Sequence, residues 1–244
     1  MLVAVAAGRT RQGAGEHLLR LAGEHARLAV GLDFSFSFPA WWMAEQGWED
    51  GPAAWSAAAR EGEAWLARCA PPFWGRPGRR APRFDPRRPA LRVTEASAPA
   101  TGGIRPSSTF QIGGAGAVGT ASVRGMPLLG RLRAAGFHVW PFDPPGWPLV
   151  VEIYPRLFTG PVRKCDRLAR RRMLEERFPD MEPTLAEVTA GSEDAFDAAV
   201  SALEMAGNAA ELAALPRLTD RVSAIEGCLW RPGACAVRRE LRCG

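Results

Sequence analysis

The sequence predicts an α/β layer fold, on three observations. Short apolar runs alternate with helical patterns, Pro and Gly punctuate the joins, and the clearest apolar runs are nearly continuous, as in strands covered on both faces. The 244 residues, 47% hydrophobic, suffice for one large domain or two small ones. "LVAVAAGRT" reads as a first strand, and "GAGEHLLRLAGEHA" as an amphipathic helix with Leu18, Leu19 and Leu21 on one face. "LAVGLDFSF" is the next strand.

Residues 40–105 change character. Six of the nine tryptophans fall there, around two expected helices, 41–48 and 53–68. "GRPGRRAPRFDPRRP" follows, with six arginines from Arg76 to Arg88 broken by Pro and Gly into a loop or arm. The whole span reads as a Trp/Arg-rich helical insertion or cap. Beyond it, "SSTFQIGGAGAVGTASVRG" is Gly-rich, and "MPLLGRLRAAG" reads as a helix stopped at Gly136. "FHVWPFD" and "PLVVEIYP" are strands, a basic helix covers about 164–177, and "SEDAFDAAVSALEMAG" is a helix capped by Ser192. "IEGCLW" is a last short strand before a Cys- and Arg-containing tail. Strands and helices alternate to the end, and no internal repeat is visible.

Several classes are set aside by composition. No run approaches eighteen apolar residues, so no membrane span is expected. The N-terminus lacks a basic region and cleavage site, which argues against a secretory signal and for the cytoplasm. Five irregularly spaced cysteines with no C-x-x-C pair indicate neither a zinc ribbon nor a disulfide framework. A net charge of +5 suits a polyanionic partner and equally a coding bias toward arginine.

Two carboxylates break local rules. Asp33 ends one apolar run and Glu152 sits inside another, although a buried carboxylate is costly unless paired, hydrogen-bonded or bound to metal. Asp194 and Asp197 add acid on one helical face. Dipole compensation explains Asp194 at a helix start but explains the deeper Asp197 less well. Carboxylates from two strand ends and a helix suit Mg²⁺ or Mn²⁺, and two such ions can activate water against a phosphodiester. The Gly-rich stretch fits neither the P-loop nor the dinucleotide fingerprint; it is either a phosphate cradle or a plain structural loop. The arginine loop, with Phe84 and Trp74, is either a nucleic-acid arm or a solvated loop.

"GLDFSFSFP", the Gly-rich stretch running into "HVWPFD", "VVEIYPRLFTGPV", "SEDAFDAAVSAL" and "EGCLW" together resemble the domain-of-unknown-function 429 family, over residues 1–232 or so. The resemblance implies one RNase H-like domain across 1–244, a mixed sheet flanked by helices, and a metal-dependent nuclease. It implies Asp33, Glu152, Asp194 and Asp197 as catalytic metal ligands. Arg156, Lys164, Arg105 and Arg124 are the candidates for substrate phosphate. Such domains open with a strand carrying the leading aspartate. Here an acid-free strand and a helix are expected before Asp33, which places Asp33 second and leaves the first strand and its ligand missing. A catalytically silent nucleic-acid-binding protein is therefore the alternative, and an actin-like ATPase with the Gly-rich loop on nucleotide is a third reading.

Overall fold

A computed structural model describes residues 1–233; the expected Cys- and Arg-containing tail lies outside the described residues. Among the described residues, three parallel strands form the sheet in the order β1–β3–β2: β1 (Ala29–Leu32), β2 (His138–Val139) and β3 (Leu149–Glu152). Around it run α1 (Arg11–Glu24), α2 (Ala40–Glu45), α3 (Gly51–Arg68), α4 (Val93–Ser97), α5 (Gly119–Ala134) and α6 (Arg156–Thr159). Then follow α7 (Arg167–Arg177), α8 (Pro183–Gly191), α9 (Glu193–Gly207), α10 (Ala209–Ala213) and α11 (Arg221–Glu226).

Strand alternation explains the layers. Val30, Val139 and Val150 face one core with Trp55, Val123 and Leu129 from α3 and α5. Leu149, Val151 and Ile153 face a second core with Leu174, Phe196 and Val200 from α7 and α9. Every residue of β3 is buried, so its continuous apolar run reports a central strand covered on both sides. The tryptophan-rich span contributes to the first core: Phe38, Trp42 and Phe73 meet edge to face at centroid distances of 4.5–6.2 Å.

Caps set the helix ends. Thr10, Asp50, Asp166 and Ser192 each accept a backbone N–H in the first turn of α1, α3, α7 and α9. The last of these is the cap expected from sequence.

Three expectations fail. Residues 1–9 form no strand, and Met1 and Val3 stand largely in solvent. A run of small apolar residues makes a strand only where a neighbour accepts its backbone hydrogen bonds, and none does here among the described residues. Asp33 therefore ends the first strand in chain order, not the second. The sheet is wholly parallel among the described residues rather than mixed. "IEGCLW" is divided: α11 takes its first two residues, Gly227 turns the chain at φ 78°, and only Leu229 bridges in parallel to Glu152.

The Gly-rich stretch supplies the first turns of α5 rather than a loop alone. A Cβ on Gly119 would stand 2.3 Å from the Thr109 carbonyl oxygen and 2.7 Å from that of Gln111. Backbone cannot yield as a side-chain tip can. Gly119→Ala is thus expected to cost about 1–3 kcal/mol, read as a lower denaturant midpoint at unchanged slope. An alanine variant as stable as the wild type would refute this contact.

Candidate functional site

In open parallel sheets, ligands bind outside the carboxyl ends of the strands. Here Asp33 follows β1 and Glu152 ends β3. Both line a cleft of about 320 Å³ with Phe34, Glu95, Arg105 and Tyr154. Leu32 and Glu152 are register partners, so these two share a face, and Asp33 lies one residue further on. That single step separates the two acids into different surroundings.

Glu152 is 2% exposed and fully engaged. Arg92 Nη1 donates to its Oε2 at 2.9 Å and Arg92 Nη2 to its Oε1. The Phe36 N–H also donates to Oε2, at 2.9 Å. The same guanidinium holds Glu95 through Nε at 3.0 Å and Nη2 at 2.8 Å, and the Glu226 carbonyl at 2.8 Å. Burial pushes the Glu152 carboxyl up and Arg92 pulls it back. Burial acts to lower Arg92, but the two glutamates outweigh it and keep the guanidinium charged. Glu152 thus anchors β3 to the turn after β1. Its oxygens are committed to that network.

Asp33 looks the other way, toward α9. Partial enclosure first, and then the Asp197 carboxylate, raise its carboxyl to about 7, with Lys164 opposing and Glu152 and Asp194 reinforcing. Asp33 also reaches solvent, which weakens enclosure as a cause and leaves the crowding of like charges as the firmer one. Among the described residues, nothing donates a hydrogen bond to it. Asp197 is half-buried; Lys164 Nζ donates to its Oδ2 at 2.7 Å and lies 2.6 Å from Oδ1, an otherwise unpartnered buried oxygen. Burial pushes Asp197 up, against that lysine. Asp194 is exposed in the first turn of α9.

The cations divide similarly. Arg105 lines the cleft. Arg156 braces the following loop, donating to the carbonyls of Gly160 at 3.3 Å and Val162 at 2.7 Å, and acts on Asp197 through space. Buried Arg170 holds the Ala190 carbonyl and the Lys164 carbonyl, fixing the backbone that carries Lys164. Arg124 pairs with Glu63 on the outer face of α3, at 2.7 and 2.8 Å. In the loop at 76–88, Arg88 pairs with Glu45, whereas Arg76, Arg79, Arg80, Arg83 and Arg87 are exposed without an ion pair among the described residues. Trp74 and Phe84 pack half-buried against the core, Phe84 stacking on Phe110 at 6.3 Å.

Arg92 and Glu226, whose carboxylate accepts the N–H groups of Ala40 at 2.7 Å and Val93 at 2.6 Å, were not foreseen. The signal that calls for Arg92 is Glu152 itself, a carboxylate in an apolar run that must find a partner.

Among the described residues, no group of three or more His, Cys, Asp or Glu side chains converges as a metal cage. Mg²⁺, however, is usually held by one or two carboxylates, waters and the substrate's own phosphates. Asp33, which accepts no hydrogen bond among the described residues, has oxygens open for that smaller demand; Glu152, held by Arg92 and the Phe36 N–H, does not. No helix among the described residues is long and apolar enough to cross a membrane. No family model, curated protein or solved structure matches the chain.

Proposed function

We propose that this chain hydrolyses phosphodiester bonds of nucleic acid with a divalent ion, Mg²⁺ or Mn²⁺, at the cleft beside Asp33. The observation that carries the reading is a carboxylate just past a strand's carboxyl end that accepts no hydrogen bond among the described residues and feels the Asp197 and Asp194 charges. Asp33 and Asp194 would hold the ion, which when bound supplies positive charge to the phosphate and acidifies a water. Asp197 holds the Lys164 ammonium, whose charge acts on Asp33 through space, and Arg156 adds a second positive charge beside Asp197; both cations line the neighbouring pocket. Arg105 at the rim suits a neighbouring phosphate.

A silent nucleic-acid-binding protein is the second reading, favoured by the lysine that already neutralises Asp197 and by the arginines at 76–87 that form no ion pair among the described residues. Incubating the protein with labelled RNA and DNA, single- and double-stranded, in Mn²⁺ and in chelator separates the two. Cleavage that needs the ion supports hydrolysis; salt-sensitive binding without any cleavage supports the silent form and removes the enzyme. Under either reading, replacing Arg79, Arg80 and Arg83 by alanine is expected to weaken binding alike for all sequences. The slope of log K against log salt should become shallower by about 2 for single strands. An unchanged slope would free the loop of any such role.

A further inference from the structure

Resting on that reading of the cleft, we infer that its substrate is single-stranded or splayed nucleic acid, one unpaired nucleotide at a time, with the base against Phe34 and Tyr154. The cleft holds about 320 Å³, at the lower end of the range for sites that enclose a small molecule. Asp33 lies within it, not on a ridge. A duplex keeps its bases stacked inside, and extruding one costs a few kcal/mol, least where pairing is already absent.

The two rings are set for contact. Phe34 follows Asp33 directly and stays partly exposed. Its ring lies 5.3 Å from that of Phe36 and over Gly125, where a Cβ would come within 2.6 Å of it. The glycine thus makes room for a fixed ring. Tyr154, the chain's only tyrosine, stands two residues beyond β3, half-buried, its hydroxyl donating to the Arg105 carbonyl at 3.5 Å. Aromatic faces beside a positively charged rim are how proteins hold unpaired bases without reading sequence. Unlike Trp74 and Phe84, which pack against each other and the core at the base of the arginine loop, Phe34 and Tyr154 both line the cleft that holds Asp33.

Two measurements on the full chain test this. Fluorescence anisotropy in chelator compares a labelled single strand with its duplex, and cleavage in Mn²⁺ compares the same pair. The single strand is expected to bind about tenfold or more tightly, and Tyr154→Leu to lose about tenfold of that, while Tyr154→Phe, which keeps the ring, retains the preference. Phe34→Leu, checked for folding by circular dichroism, should act as Tyr154→Leu does. Equal binding of duplex and single strand, or a Tyr154→Leu variant with undiminished preference, overturns the inference. Cleavage of neither strand with the ring-dependent preference intact overturns the hydrolytic reading and upholds this one.

Discussion

Arg92→Ala is expected to remove about 3–5 kcal/mol of folding stability, the cost of breaking a buried ion pair by deleting one partner. That is a large part of the 5–15 kcal/mol typical of a whole domain. Arg92 is 0% exposed and serves Glu95, Glu152 and the Glu226 carbonyl at once, so its loss leaves two buried carboxylates without a counter-charge. The network also joins segments far apart in sequence: the turn after β1 through the Phe36 N–H, the end of β3, and the end of α11. A variant that also carries Glu95→Gln and Glu152→Gln should recover part of the loss, because neutral amides cost less to bury than unpaired charges. Denaturant unfolding checks both. An Arg92→Ala protein within 1 kcal/mol of the wild type, to within roughly the usual error of such extrapolation, would show that the network contributes little.

Asp33→Asn acts on the opposite balance. It is expected to lower ion-dependent cleavage by about 10²–10⁴-fold, the usual scale for a group working directly at the reacting centre. It should not unfold the protein. The carboxyl's folded value of about 7 lies above its ordinary 3.8. Its contribution to stability is therefore complete below about pH 4 and is lost as pH rises to about 7. An amide cannot ionise, so Asp33→Asn should match the wild type near pH 4, gain on it through the interval, and keep a constant lead above pH 7. A melting temperature that falls in the variant at pH 8 would mean that the ionised carboxylate is stabilising, and the charge crowding wrong. Lost turnover together with gained stability is the signature of a functional group held at some cost to the fold.

Much of this was legible in the sequence, and the failures have physical causes. The strands at 29–32 and 149–152, the cap at Ser192 and the stop after α5 follow from runs, capping residues and glycine, all of them local signals. The false strand at the N-terminus was local too; strand formation depends on a partner edge, which composition does not encode. Asp33, Asp194 and Asp197 stood out in the sequence as acids beside apolar runs, and in the fold the latter two act on Asp33 through space, with Asp33 and Asp194 exposed and Asp197 half-buried. Glu152 was singled out by the same rule, yet its partner is an arginine sixty residues earlier in the chain, a pairing that only tertiary structure reveals. Arg124 was grouped with Arg105 as a candidate for substrate phosphate, but the turn of α5 carries it to Glu63.

The most direct measurement is the pH dependence of cleavage of one single-stranded oligonucleotide at limiting Mn²⁺, in wild type and Asp33→Asn. Proton and ion compete for the same carboxylate, so the wild-type rate should fall about tenfold per pH unit below about pH 7 and level off above it. Asp33→Asn should be slow at every pH and show no such fall. A variant that cleaves as fast as the wild type, with the same pH profile, would contradict the assignment of this cleft.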